Sequence, residues 1–362
     1  MKLKNRILRS ATLEEMADVD GQVTSALLKI YYELALGGTG LIITGASAVS
    51  STGRARIHQM GVWSDRHVEG LSRLAAIVHQ YGDGCKCAVQ LHHAGELSYL
   101  NSNNNQNDPR CIPSSWDSNI IQKIIGCFGR ASKRIKRAGF DAVAVHGAHG
   151  YLVSQFLSSA LNKRTDDWGG SLENRMRFPL KIVAAMREQV GSDFPILWKM
   201  NVSDYLDNEG SSLDEYCKVA AQLTQNGVDL IEMSGGVRNQ HTLRSKLKKM
   251  AADKEAYFEN AILAFKKATR PARLAITGGL RSIKNMERII EKGIDLIGIC
   301  RPLICEPDFI NRILHSSDKR PSKCISCNKC SWAGSWNPLN CREFDNFQKI
   351  IKTLDSPSHY HQ

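Results

Sequence analysis

Two imidazoles and a phenol, His146, His149 and Tyr151, fall within one short stretch, AVAVHGAHGYL at residues 142–152. An imidazole donates or accepts hydrogen bonds near neutral pH. A phenol, which ordinarily keeps its proton to about pH 10, can pass that proton to a substrate. Such a trio suits a reaction in which an oxygen gains negative charge and a neighbouring carbon takes a proton. The Ala and Val run ahead of it is what a buried strand needs, and folding does not ask such a strand to end in three polar rings. A lone histidine there is more often a group that satisfies the backbone. Two histidines and a tyrosine converging at one strand end mark the floor of an active site.

A strand end becomes a site only when other strand ends meet it. Short apolar runs recur at residues 6–10, 40–46, 86–91, 142–146, 195–201, 229–234, 273–277 and 296–300. Between them apolar residues return at helical spacing, as in Leu27, Tyr31, Leu34 and Ala35, in Tyr216, Val219, Ala220 and Leu223, and in Ile283, Met286 and Ile290. Strands apolar on both faces, each followed by a helix, predict a parallel sheet covered by helices. Eight such units predict a TIM (β/α)8 barrel of about 250 residues plus additions. We place this barrel at residues 1–317, with a short Cys-rich tail at 318–362. A doubly wound open sheet is the competing architecture, but no GxGxxG follows the first strand or any other.

In a barrel of this kind chemistry sits at the C-terminal ends of the strands. Gly45, Ala46 and Ser47 at the second end are small enough for a planar ring to approach the backbone. The third strand ends in Gln90, His92 and His93. Lys199 is a cation inside an apolar run, costly to bury without an anionic partner, and a ligand would serve. Ser234, Gly235 and Gly236 close the sixth strand, Gly278 and Gly279 the seventh, and Arg301 the eighth. Bare backbone N–H groups with a guanidinium suit phosphate oxygens, so these ends together imply a phosphorylated cofactor.

These residues, with the blocks LKNRI, GLIITGAS, VQLHHAG, NKRTDDWGGSLENR and SDY at residues 203–205, resemble the old yellow enzyme family of FMN-dependent oxidoreductases from Leu3 to Pro302. The resemblance implies a TIM barrel with FMN across its mouth and NAD(P)H as reductant. It implies that Gln90 bonds the flavin pyrimidine edge and that Lys199 stands near flavin N1 and O2, where relatives commonly carry arginine. Ser10, Ala11 and Ala46 would lie against the ring, and Ser234, Gly235, Gly278, Gly279 and Arg301 at the phosphate. His146 and His149 would hold the oxygen of an activated alkene, and Tyr151 would give the proton. The implied reaction is reduction of enones or related electron-poor alkenes. An amine dehydrogenase or demethylase is the alternative, and a non-catalytic flavin electron carrier the alternative from another class. A tRNA dihydrouridine synthase, also an FMN barrel, is disfavoured by the HGAHGYL block and by the lack of an RNA-binding extension.

Three features depart from the family pattern. Leu13 stands where relatives place a threonine or cysteine that bonds flavin O4. Relatives carry roughly a dozen residues ahead of LKNRI, a hairpin-sized closure of the barrel base, and this chain does not. The Asn-rich loop at residues 101–111 lies on the catalytic face, where it would shape substrate access or be simply solvated.

Cys324, Cys327, Cys330 and Cys341 form C-x2-C-x2-C-x10-C directly after the barrel. Four thiolates at this spacing suit zinc or a 4Fe-4S cluster, and free thiols in an ordered tail are the third reading. The spacing resembles the cluster site of the trimethylamine dehydrogenase and 2,4-dienoyl-CoA reductase subgroup. A cluster would imply an electron-transfer protein as partner.

The remaining seven of the eleven cysteines are scattered, as buried small hydrophobes are, and an odd count argues against a disulfide framework. No run approaches the ~20 apolar residues of a membrane span, and MKLKNRIL is no signal peptide, so a cytoplasmic location is expected. The net charge of +12 favours anionic cofactors and substrates. No motif for nucleic-acid binding accompanies it. The expected partners are therefore a small-molecule substrate and a second copy of the chain, with neither nucleic acid nor membrane.

Overall fold

The computed structural model of the chain describes residues 1–102, 113–206, 210–237, 255–330 and 338–343. The Asn-rich loop lies mostly, and the basic run at 244–249 wholly, outside the described residues. The strands are β1 (Ile7–Arg9), β2 (Leu41–Ala48), β3 (Lys86–His92), β4 (Ala142–Gly147), β5 (Ile196–Asn201), β6 (Leu230–Ser234), β7 (Arg273–Ile276) and β8 (Leu296–Ile299). They close into one parallel barrel in chain order, β8 returning to β1 through Ile7–Ile297, Leu8–Gly298 and Arg9–Ile299. The TIM barrel expected from the strand count is the observed fold.

Each strand is buried on both faces because helices cover its outer side. Helix α1 (Ser25–Leu36) buries Leu27, Tyr31, Leu34 and Ala35, and its first turn is capped by the Thr24 hydroxyl, which accepts from Leu27 N–H. The outward strand residues and the helices form one large core, whereas Leu8, Leu41, Ile43, Ala88, Ala142, Ala144, Leu197, Leu230 and Ala275 form a separate core inside the barrel. Because strand side chains alternate, residues two positions further on point into the same interior one layer higher. Leu8 is thus followed by Ser10, Ala88 by Gln90, Ala144 by His146, Leu197 by Lys199 and Leu230 by Glu232. The apolar layer is the floor, and the polar layer above it is the base of the mouth.

At the opposite end lies an open cavity of about 540 Å3, lined in part by Leu3, Leu41, Leu197, Leu230 and Leu296. Cys85 and Cys87 lie near that end as expected of small buried residues, and burial pushes the Cys85 thiol up to about 12 and Cys87 well above its usual range. Asp141 accepts from Cys87 N–H at 2.9 Å and from His79 Nε2 at 2.7 Å, and its other oxygen meets Lys86 Nζ at 2.9 Å.

Strand β2 carries an irregularity between Ile43 and Ala46. Glu14 fixes it, since its Oε1 accepts from Gly45 N–H at 3.0 Å and from Tyr31 OH, and pairs with Arg9 at 3.1 Å. A β-carbon at Gly45 would lie 1.9 Å from Glu14 Oε2 and 2.4 Å from Thr12 O. A buried carboxylate and a backbone oxygen therefore already demand the glycine. Gly45→Ala is expected to cost about 1–3 kcal/mol, as overpacking does, read as a lower urea midpoint at unchanged slope.

Candidate active site

Two strand ends, those of β3 and β4, supply the rings. His146 ends the inward series of β4, and its ring centroid lies 5.0 Å from that of His149 and 4.9 Å from that of Tyr151. Tyr151 caps the short helix Leu152–Leu157, whose Gln155 N–H donates to Tyr151 O at 2.7 Å. His149 adopts φ 65°, an uncommon conformation for a residue with a side chain. It is held there by Asn201 Oδ1, which accepts from His149 N–H at 3.2 Å, and by a bond of 2.7 Å between His149 Nε2 and Ser234 Oγ. Ser234 therefore meets an imidazole at the end of β6.

The hydrogen bonds also assign protons. Ala148 N–H donates to His146 Nδ1 at 3.3 Å, so a neutral His146 carries its proton on Nε2. His92, at the end of β3, packs edge-on against Tyr151 with ring centroids 4.4 Å apart. Gln59 Oε1 accepts from Ala55 N–H at 2.6 Å, which turns its amide nitrogen toward Ala46 O at 2.8 Å and His92 Nδ1 at 3.0 Å. His92 Nδ1 is therefore an acceptor, and in the neutral ring the proton is again on Nε2. His92 reads from the sequence only as one of several polar residues at the end of the third strand, and its contact with Tyr151 follows from β3 and β4 being neighbours.

Within the barrel, Gln90 is buried beside Ala46 in register, and its Nε2 has no hydrogen-bond partner among the described residues. Lys199 is 4% exposed, donates to Ser10 Oγ at 2.7 Å and lies 3.2 Å from Glu232 Oε1. Ser10 in turn donates to Glu232 at 2.6 Å. The partner that a buried lysine requires is thus present within the chain. The signal that singles out Lys199, a charge inside an apolar run, is equally present for Glu232 in LIEMS.

Ala11 packs on the edge of the interior core. Gly278 and Gly279 both have positive φ, 136° and 75°. A β-carbon at Gly235 would meet Tyr205 at 2.6 Å and Phe258 at 2.7 Å, and one at Gly278 would meet Phe258 and Tyr257 at 3.1 Å. Aromatic packing thus already disfavours a side chain at Gly235, and positive φ with close aromatic contact does so at Gly278. Arg301 Nη1 donates to Asn328 Oδ1 at 2.8 Å and lines a small pocket with Cys324, Cys327, Cys330 and Cys341. Two of the cysteines read as scattered lie close by: Cys305 is hydrogen-bonded to Cys341, and Cys300 Sγ is 2.6 Å from Thr12 Oγ1.

The sequence profile of the NADH:flavin oxidoreductase / NADH oxidase family matches residues 1–320. The chain belongs to this family, that of old yellow enzyme. It is 32% identical over 338 residues to a NADH oxidase of Thermoanaerobacter brockii, a match covering 90% of this chain and 51% of that protein. It is 33% identical over 320 residues to a NADPH dehydrogenase of Bacillus subtilis strain 168, covering 85% of this chain and 90% of the relative. A 2-naphthoyl-CoA reductase has the same fold, with TM-score 0.81 and 24% identity over 94% of this chain and 54% of its own. The chain thus spans about half the length of two of these three proteins. By family it is an old yellow enzyme-type flavin oxidoreductase barrel. Among the described residues no helix is long and apolar enough to cross a membrane.

Proposed function

We propose that this chain is an FMN-dependent NAD(P)H oxidoreductase that reduces electron-poor carbon–carbon double bonds. The observation that carries the reading is the meeting of His146, His149 and Tyr151 at the strand end whose His146 is in register with the buried Lys199, beside Gln90 and Ser10. That layer fits the pyrimidine end of FMN, since Gln90 offers a buried donor that still lacks an acceptor and Lys199 offers a cation. Ala46 and Ala11 would lie beside the ring, and Gly235, Gly278, Gly279 and Arg301, with Ser234 next to them, would serve the phosphate.

Bound FMN would supply a hydride taken from NAD(P)H. The chain's own groups do the rest. His146 donates from Nε2, and His149 with it would bind the substrate oxygen, stabilising the charge that gathers there. Tyr151 holds the proton for the adjacent carbon. A screen of enones, nitroalkenes and enoyl-CoA esters with NADH and NADPH tests this; bound FMN without turnover on any of them would favour a flavin carrier instead.

The four tail cysteines favour a second reading, in which residues 318–362 add a redox centre to the barrel of residues 1–317. Their side chains line one pocket beside the end of β8. Among the described residues, the metal-ligand atoms found within 4.8 Å of one another are those of His79, Cys87 and Asp141, not those of the tail. In this reading Cys324, Cys327, Cys330 and Cys341 are the ligands of a 4Fe-4S cluster, with an electron-transfer protein or an amine-type donor as its partner. Anaerobic purification should yield about four iron and four sulfide per chain. Zinc, or no metal beside FMN, would remove the cluster from the scheme.

A further inference from the structure

Glu232 has no place in the proposed reaction, yet it is 1% exposed in the centre of the barrel mouth. One of its oxygens, Oε1, takes both available donors, Ser10 Oγ at 2.6 Å and Lys199 Nζ at 3.2 Å. The other, Oε2, is buried with no hydrogen-bond partner among the described residues. A carboxylate so placed is a poor device for stability alone. A buried ion pair is often no better than an apolar pair of the same size, and an orphaned oxygen adds a further cost. Its parity on β6 puts it in the same interior layer as Lys199 and Ser10, the layer that also holds Gln90.

We infer that Glu232 is a positioning and charge-setting residue for Lys199, neutralising that cation so that the flavin seated above it has a low reduction potential. The inference rests on the flavin reading. Reduction adds negative charge at the pyrimidine edge of the ring, and an unshielded ammonium there would favour it strongly in a water-excluded setting. Glu232 cancels much of that field, and its unpaired Oε2 opposes the added charge further. The Ser10 hydroxyl fixes the geometry, because it accepts from Lys199 and spends its only proton on Glu232.

The test is the glutamine variant E232Q, which keeps the shape and an acceptor for Ser10 while removing the charge. Purified with FMN, it should bind sulfite at the flavin at least tenfold more tightly than the unaltered protein. Its two-electron potential should rise by at least the corresponding ~30 mV. In the double variant K199M/E232Q both changes should disappear. If E232Q does not fold, K199M against K199M/E232Q reads the same coupling, since losing the carboxylate must then tighten sulfite binding again. A purely structural Glu232 would lower the melting temperature and leave sulfite affinity within twofold in both comparisons, and that result would overturn the inference. Failure of the unaltered protein to retain FMN would overturn the flavin reading and this inference with it.

Discussion

Tyr151→Phe is expected to slow alkene reduction by about two to four orders of magnitude, the range general acids contribute, while reduction of the flavin by NAD(P)H stays within about threefold. The substitution deletes one oxygen and keeps the ring. The edge contacts with His92 at 4.4 Å and His146 at 4.9 Å persist, as does the backbone bond from Gln155 that starts the following helix. The phenolic proton is needed only when a substrate carbon must be protonated, so its loss separates the two half-reactions. Stopped-flow absorbance can follow each alone. Equal slowing of both would mean that the Tyr151 hydroxyl positions something rather than donates a proton to the substrate. An unchanged oxidative half-reaction would assign the proton to water or to another group. His92 then becomes the first residue to examine, because Gln59 already fixes its proton on Nε2.

The strands were legible because parallel strands covered on both faces read as uninterrupted apolar runs, and β4 or β5 can be read that way with no partner in view. The polar ends of those strands were legible one at a time. Their pairings were not. Lys199 announces itself as a cation in an apolar run, but its partner Glu232 lies on the next strand, and Ser10 is 189 residues away. Only the closure of β8 onto β1 brings the three together. Ser234 reads from the sequence as part of a phosphate turn, and that its hydroxyl meets His149 across 85 residues could not be read there. At Gly45 the small residue was legible and the reason for it was not, since Glu14 and Tyr31 reach the site from a loop and a helix. Local pattern records what a residue can do, whereas the barrel decides what it meets.

The SDY block shows the same gap with a larger energetic consequence. Asp204 is fully buried and accepts four hydrogen bonds. Asn201 Nδ2 at 3.3 Å and Tyr216 OH at 2.6 Å reach Oδ1, while Ser158 Oγ at 2.6 Å and Ser211 N–H at 2.8 Å reach Oδ2. Burial first, and then the charge of Asp204, hold the Tyr216 phenol well above its ordinary range, which keeps it a donor. Asp204→Ala removes the acceptor of Tyr216 OH, Ser158 Oγ and Ser211 N–H, while Asn201 Nδ2 keeps only longer contacts of 3.5 Å to Ser154 Oγ and Tyr216 OH. Each stranded donor is worth about 1–3 kcal/mol and they are not additive, so a total loss of about 4 kcal/mol in urea unfolding is expected. Even the isosteric Asn should cost about 2 kcal/mol. Its NH2 must face either Ser211 N–H, which cannot turn to accept, or the Asn201 amide. Turning that amide over would withdraw the oxygen that receives His149 N–H. Both variants should therefore weaken alkene reduction through His149 while FMN remains bound, and Asn should fall between wild type and Ala in both measurements. An Asn variant as stable and active as wild type would show that shape, rather than the four-donor carboxylate, holds this wall of the site.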